Sequence, residues 1–178
     1  MNTKPTIERT LTLIRHSKAE PMQDKPDRDR VLARKGRKDA EAVGGWLGDP
    51  SNAEPLDLVL CSTSERTRQT VEGMSAGGAS AKETSFDDRI YNASAATLLE
   101  VLREVPDSVH TVAVVGHAPG IPVLATALAH SDSASSDILD RLSLGFPTSG
   151  LAVLGFDGSW AELAPETASL RDFVVPRA

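Results

Sequence analysis

Three short apolar runs, each broken off by a polar group suited to phosphate, constrain this chain more than any other feature. Leu11-Thr12-Leu13-Ile14 runs into Arg15-His16, Leu58-Val59-Leu60 into Cys61-Ser62, and Val112-Ala113-Val114-Val115 into Gly116-His117. Runs of this length read as strands. The third is apolar at every position and so has no solvent-facing side, as expected of a central strand in a parallel sheet covered on both faces. In such sheets ligands collect beyond the carboxyl ends of the strands, so three ends far apart in sequence converge on one pocket. Two histidines and at least one arginine then share it.

The segments between these runs supply the covering helices. Arg34 to Gly48 carries Ala40, Val43 and Leu47 at helical spacing and stops at Gly48-Asp49-Pro50. Ser64 is the N-cap of a second helix with Thr67, Val71 and Met74 inward, closing in Ala76-Gly77-Gly78-Ala79. Ser94 to Val105 repeats Leu98, Leu99 and Leu102 on one face until Pro106 ends it. Gly120 to His130 is a further helix, with Pro122 tolerated in its first turn. Ser17 to Arg30, with Pro21, Pro26 and many charges, reads as a loop, as does Ser131 to Ser136. Gly150 to Phe156 is a strand, and Ser159 to Leu163 is expected to pair with it antiparallel. Alternating strands and helices specify an α/β protein of three layers, α/β/α, with a mostly parallel central sheet. The 178 residues suit a single domain spanning residues 1–178.

Composition narrows the function. Hydrophobic content of 40% and charged content of 25% are globular values, and the net charge of −6 argues against broad binding to nucleic acid or to an anionic membrane. Cys61 is the only cysteine, so no internal disulfide forms. Met1 to Thr10 holds Lys4, Glu8 and Arg9 without an apolar segment, and no stretch approaches the ~20 apolar residues of a membrane span. A soluble, cytoplasmic, unexported protein is expected.

The strand ends carry the chemistry. A neutral imidazole is a nucleophile near physiological pH, and an adjacent guanidinium can hold the phosphoryl group it attacks, so Arg15-His16 points to a phosphohistidine intermediate. In Ser62-Thr63-Ser64-Glu65-Arg66-Thr67-Arg68-Gln69-Thr70 two arginines stand near a helix start, where backbone N–H groups and the helix dipole also favour an anion. Arg66 and Arg68 lie about 200° apart on a helix, so one faces inward, and periodicity does not say which. His117 can donate a hydrogen bond to a phosphoryl oxygen as charge builds in the transition state. His110, at the opposite end of its strand, and His130, at a helix C-terminus, read as structural. The cations Arg34, Lys35, Arg37 and Lys38 open a helix at the end where positive charge is unfavourable. Cys61 reads as a small buried apolar residue, and no cysteine-histidine spacing suits zinc.

Taken together these segments resemble a known family. Leu13-Ile14-Arg15-His16-Ser17 is similar to the Arg-His-Gly signature of the histidine phosphatase superfamily, the phosphoglycerate mutase-like fold. Ser62 to Thr70 resembles that family's Ser-Pro-x-x-Arg-Ala-x-Gln-Thr helix, and Val115-Gly116-His117-Ala118-Pro119-Gly120 its Val-Gly-His-Asn-Pro-Gly segment. Asp29-Arg30-Val31-Leu32-Ala33-Arg34-Lys35-Gly36 is similar to an Asp-Arg-Pro-Leu-Thr-x-x-Gly segment and, with the short length, points to the SixA-like phosphohistidine phosphatases. The resemblance implies that His16 is the nucleophile, that Arg15 and Arg66 clamp the phosphate, and that His117 contacts the phosphoryl oxygens. It puts Arg68 at a variable position. It also implies that Ser62 offers the substrate a hydroxyl or a backbone N–H. Three positions depart from the pattern: Ser17 for glycine, Thr63 for proline and Ala118 for asparagine. The hydroxyl of Ser17 is expected to bond the phosphate.

A general acid is the missing part. Mutase-like relatives place a carboxylic acid on a mid-chain insertion. This chain has none, and offers only Glu83 and Asp88, with Asp87, in an ordinary charged segment. A departing imidazole needs less acid assistance than a sugar alkoxide. The expected substrate is therefore a phosphorylated one, a phosphohistidine-bearing protein first, then a small ester such as a sugar phosphate or nucleotide. A non-catalytic phosphate-binding module is the remaining alternative. No metal or other cofactor is expected, because fixed cations supply the charge stabilisation.

Overall fold

A computed structural model describes residues 6–178, so Lys4, at the charged start of the chain, lies outside the described residues. Six strands form one sheet: β1 (Glu8–Arg15), β2 (Leu56–Ser62), β3 (Ala81–Asp87), β4 (Thr111–Gly116), β5 (Leu151–Asp157) and β6 (Ser169–Val174), in the order β3-β2-β4-β1-β5-β6. β1 to β4 pair parallel, whereas β5 is antiparallel to both β1 and β6. The continuous apolar run of Val112 to Val115 places β4 between β2 and β1, buried at every position. The sheet is mixed and mostly parallel, with helices on both faces.

Alternation within the strands sorts the core into two layers. Val59, Cys61, Ala113, Val115 and Ile14 meet Val43 and Leu47 of α1 (Arg34–Gly48) and Met74 of α2 (Glu65–Gly77). On the opposite face Leu11, Leu13, Leu58, Leu60, Val112 and Val114 meet Leu98 and Leu102 of α3 (Ala95–Arg103) and Leu124 and Leu128 of α4 (Gly120–Leu128). Ser64 caps α2 by accepting from the Thr67 N–H, and Gly78, at φ 116°, closes that helix in the left-handed conformation that favours glycine. Gly36 brings the first turn of α1 against the main chain of Lys18, which accepts a hydrogen bond from Ala33 N at 2.9 Å. That contact seats the loop carrying His16.

Several expectations change. Ser159 to Leu163 does not pair with β5: Trp160–Glu162 is a 3-10 turn with Trp160 wholly buried, and the antiparallel partner is β6. The helix from Gly120 ends at Leu128 and not at His130, because Ala129 turns extended and His130 N donates to Ala168 O. The loop expected to run to Ser136 ends earlier, because a short helix, α5 (Ser136–Ser143), capped by Ser135, begins there. Among the described residues no helix is long and apolar enough to cross a membrane.

Candidate active site

The three interrupted runs end side by side. Arg15 closes β1, Ser62 closes β2 and Gly116 closes β4, the strand between them, so Arg15, His16, Ser62 and His117 gather at one edge of the sheet. A cavity of about 430 Å³ lies there, lined by Arg15, His16, Lys18, Ala19, Asp27, Arg30, Arg66, Asn92, His117, Ala118 and Thr148. The imidazoles of His16 and His117 stand 5.3 Å apart between ring centres.

Hydrogen bonds fix both tautomers. His16 Nδ1 lies 2.7 Å from the carbonyl of Ser17, which can only accept, so the proton is on Nδ1 and Nε2 keeps its lone pair. At His117 the permanently protonated Arg66 approaches Nδ1 with Nη2 at 3.2 Å. Nδ1 is thus the acceptor, and Nε2–H donates to Ser62 Oγ at 2.8 Å. Ser62 therefore orients His117 and does not line the cavity.

Burial, followed by the charge of Arg66 and Arg15, brings His16 down to about 4 against the pull of the Ser17 carbonyl. Burial, with His16 and Arg66 close by, brings His117 down to about 3. Both rings are neutral at physiological pH, and His16 is a free base ready to attack. The kcat/KM of the free enzyme is expected to hold to below the ordinary histidine value of ~6.5 and to fall as His16 protonates near about 4. A pH-rate profile whose acid limb lies near ~6.5 would contradict this. Stability follows the same sign. The unfolded chain binds these protons first, so the contribution is complete above ~6.5 and is lost as pH falls toward about 4 and about 3.

The arginines are held and yet incompletely bonded. Arg15 Nη1 donates to Phe146 O at 2.9 Å, and Arg66 Nη1 donates to Asp27 O at 2.8 Å. The Nε–H groups of both are buried without a partner, and both residues line the cavity. Arg9 Nε, at the far end of β1, is also unpartnered, but both of its Nη groups are engaged. Arg68 turns away, with its guanidinium 4.2 Å over the Phe86 ring and Nε on Thr63 O.

Two expected substrate contacts and both candidate acids fall elsewhere. Ser17 is fully buried outside the cavity lining, its hydroxyl 2.6 Å from Ser149 Oγ and its N–H on Thr70 Oγ1, so it does not face the phosphate. The hydroxyl of Ser62 is taken by His117. Glu83 lies on β3 in a groove with Leu58, Arg89 and Glu104, outside the cavity. Asp88 is exposed and ionised, accepting from Thr63 Oγ1 at 2.6 Å and pairing with Arg28 at 2.7 Å. Neither carboxyl supplies an acid to the cavity. His110 donates its N–H to Asp57 at the amino end of β4.

Asp27 and Tyr91 are the residues the sequence did not single out. Asp27 lines the cavity, where the Tyr91 hydroxyl, Arg30 and Arg66 hold its carboxyl well below the usual carboxylate range. It is the only carboxylate among the cavity-lining residues, and it is an anion throughout the physiological range. Cys61 is buried and its thiol is pushed up to about 12, so it is inert. Among the described residues no three histidine, cysteine or acidic side chains gather as a metal site.

Comparison with known proteins agrees with this geometry. The model of the histidine phosphatase superfamily (branch 1) matches residues 11–94. An uncharacterized protein of Mycobacterium tuberculosis is 40% identical over 166 residues, which cover 92% of this chain and 100% of that one. A proposed phosphohistidine phosphatase SixA from Nakamurella multipartitia is 34% identical, with a TM-score of 0.82 over 96% of this chain and 98% of its own. The structure of the protein histidine phosphatase SixA complexed with tungstate shares the fold, with 19% identity, a TM-score of 0.74, and coverage of 94% and 97%.

Proposed function

This chain belongs to the histidine phosphatase superfamily and has its phosphoglycerate mutase-like α/β fold, and we propose that it is a phosphatase acting through His16 on protein-borne phosphohistidine. His16 Nε2 attacks the phosphorus, the substrate's P–N bond breaks, and the bonding pair leaves on the substrate imidazole, which takes a proton from water. Arg15 and Arg66 face the equatorial oxygens as charge builds there, and His117 reaches them by turning its Nε2–H from Ser62 Oγ to a phosphoryl oxygen. Water then attacks phospho-His16, inorganic phosphate departs, and the neutral imidazole returns. A tetrahedral oxyanion in the related SixA structure supports a phosphoryl site of this kind.

One observation carries the choice of substrate: among the described residues lining the cavity there is no protonated carboxyl. Its single carboxylate, Asp27, is kept ionised by Tyr91, Arg30 and Arg66. An alkoxide leaving group would go unassisted, whereas an imidazole leaves at far lower pKa. The covering loops agree. The connections that leave the carboxyl ends of β2 and β4 run over residues 63–64 and 117–119, too short for a cap, and the longer one after β1, residues 16–33, forms a wall of the cavity through Lys18, Ala19, Asp27 and Arg30.

Turnover of a phosphohistidine peptide beside sugar phosphates and nucleotides tests the proposal. The peptide is expected to lead in kcat/KM by about 100-fold, the size of the acid assistance that the esters lack. A lead for an ester would replace the substrate, and no turnover of any compound would leave a phosphate-binding module.

A further inference from the structure

We propose that Asp27 and Tyr91 are positioning residues for the phosphoryl clamp: through one carboxylate oxygen they hold the Arg66 guanidinium, and through it the His117 ring, in the orientation that receives a phosphoryl group. The inference rests on the cavity being a phosphoryl site and adds two residues to it.

A carboxylate in a cavity meant for a phosphoryl dianion repels its ligand, so its presence needs a physical reason. Its bonds give one. Asp27 Oδ2 accepts from Tyr91 Oη at 2.6 Å and from Arg66 Nη2 at 3.0 Å, while the main-chain oxygen of the same residue accepts from Arg66 Nη1 at 2.8 Å. Two bonds from one residue grip both ends of a planar fork and stop its rotation. Nη2 then stands 3.2 Å from His117 Nδ1, which sets that ring's tautomer, and the Nε–H of Arg66 is left unpartnered. Tyr91 braces the same ring directly, edge to face at 5.6 Å.

The brace is itself anchored. Arg28 lies 4.5 Å over the Tyr91 ring and pairs with Asp88, which Thr63 also holds. Asp88 thus fastens the wall of the site instead of serving as its acid. Tyr91 suits this place because a phenol donates its hydrogen bond without adding charge beside the phosphate. Arg30 adds a bond to the other carboxylate oxygen at 3.1 Å.

Three variants of the full chain test the proposal. Asp27→Ala leaves Arg66 Nη1 on the main-chain oxygen but releases Nη2, so the fork can turn about the remaining bond, and is expected to lower kcat/KM on the phosphohistidine peptide by about 100-fold, as for misplacement by about 1 Å. Tyr91→Phe deletes one hydrogen bond and is expected to cost about 10-fold. In Asp27→Asn the amide oxygen can occupy the Oδ2 position and keep both the Tyr91 and the Arg66 bonds, giving up only the Arg30 bond, whose partly exposed side chain can turn away from the amide NH2, so it should recover at least about 10-fold of the alanine loss. Two readouts need no turnover: tungstate affinity, and the His117 tautomer from its imidazole nitrogen resonances. Wild type is expected to show the Nε2–H form, and Asp27→Ala a mixture with weaker tungstate binding. Failure of phosphohistidine hydrolysis alone would overturn the substrate assignment and leave these two readouts to decide the positioning. Asparagine as poor as alanine, or unchanged tautomer and tungstate affinity in Asp27→Ala, would overturn it. Should that variant not fold, tungstate affinity unchanged in Tyr91→Phe overturns it equally.

Discussion

Replacing His16 with alanine is expected to abolish turnover, lowering kcat by at least about 10⁴-fold on any substrate the protein accepts. The size follows from the lack of a substitute nucleophile. The Ser17 hydroxyl is bonded to Ser149, the Ser62 hydroxyl accepts from His117, and the Cys61 thiol is buried and protonated. His117 keeps its lone pair on Nδ1, which faces Arg66. The fold should survive, since the His16 side chain contributes one hydrogen bond, to the carbonyl of its neighbour. Circular dichroism and a thermal melt beside the kinetic assay check both halves. Activity within a few-fold of the parent would remove His16 from the chemistry.

The second large effect falls on Arg66. Arg66→Ala is expected to lower kcat/KM by about 10³-fold, at the upper end of losses seen when a single oxyanion donor is removed. Two further consequences put it there. Removal of the guanidinium takes away the partner that sets the His117 tautomer. It also leaves Asp27 in the cavity facing the phosphoryl group, with Arg30 and Tyr91 as its remaining partners. One substitution thus removes an attraction and exposes a repulsion. Arg66→Lys should recover little, because an ammonium is a point charge and cannot span Asp27 O, Asp27 Oδ2 and His117 Nδ1 as the fork does. Steady-state kinetics with tungstate inhibition checks this. A lysine variant near wild type would mean that charge alone is needed at that position.

The central strands were legible because burial on both faces leaves a compositional mark. Val112 to Val115 cannot be read as anything with a wet side, and the residues that stop such runs gather wherever the strands do. The outer elements leave weaker marks. β3 is an edge strand whose residues Ala81, Lys82, Glu83 and Thr84 are exposed, so it is held by its ladder to β2 and shows no alternation. In β6 the pairing with β5 slips between Val153 and Leu154, so its buried Leu170 and Phe173 stand three apart and the two-residue period is lost.

Arg15, His16, Arg66 and His117 could be picked out because their neighbours in sequence already form a pattern. Asp27 could not. It lies in a charged, proline-bearing loop of the kind that is ordinarily solvated, and its partners Arg66 and Tyr91 follow 39 and 64 residues later. The packing of α1 against Lys18, with Glu20 N on Val31 O and Leu32 N on Gln69 Oε1, brings that loop back over the strand ends and gives Asp27 a role. The mismatch at Ser17 shows the reverse. Its hydroxyl looked available from sequence, but Ser149, at φ 64° and bonded to the carbonyls of Arg15 and His16, is folded in to meet it.

The most direct measurement is to trap the phosphoryl group. Rapid mixing with a peptide bearing labelled phosphohistidine, quenching in base and mapping the label by mass spectrometry should find a base-stable, acid-labile phosphoramidate on His16, formed and lost at rates that account for kcat. A label on another residue, or phosphate released with no labelled protein under conditions that resolve a single turnover, would contradict the account.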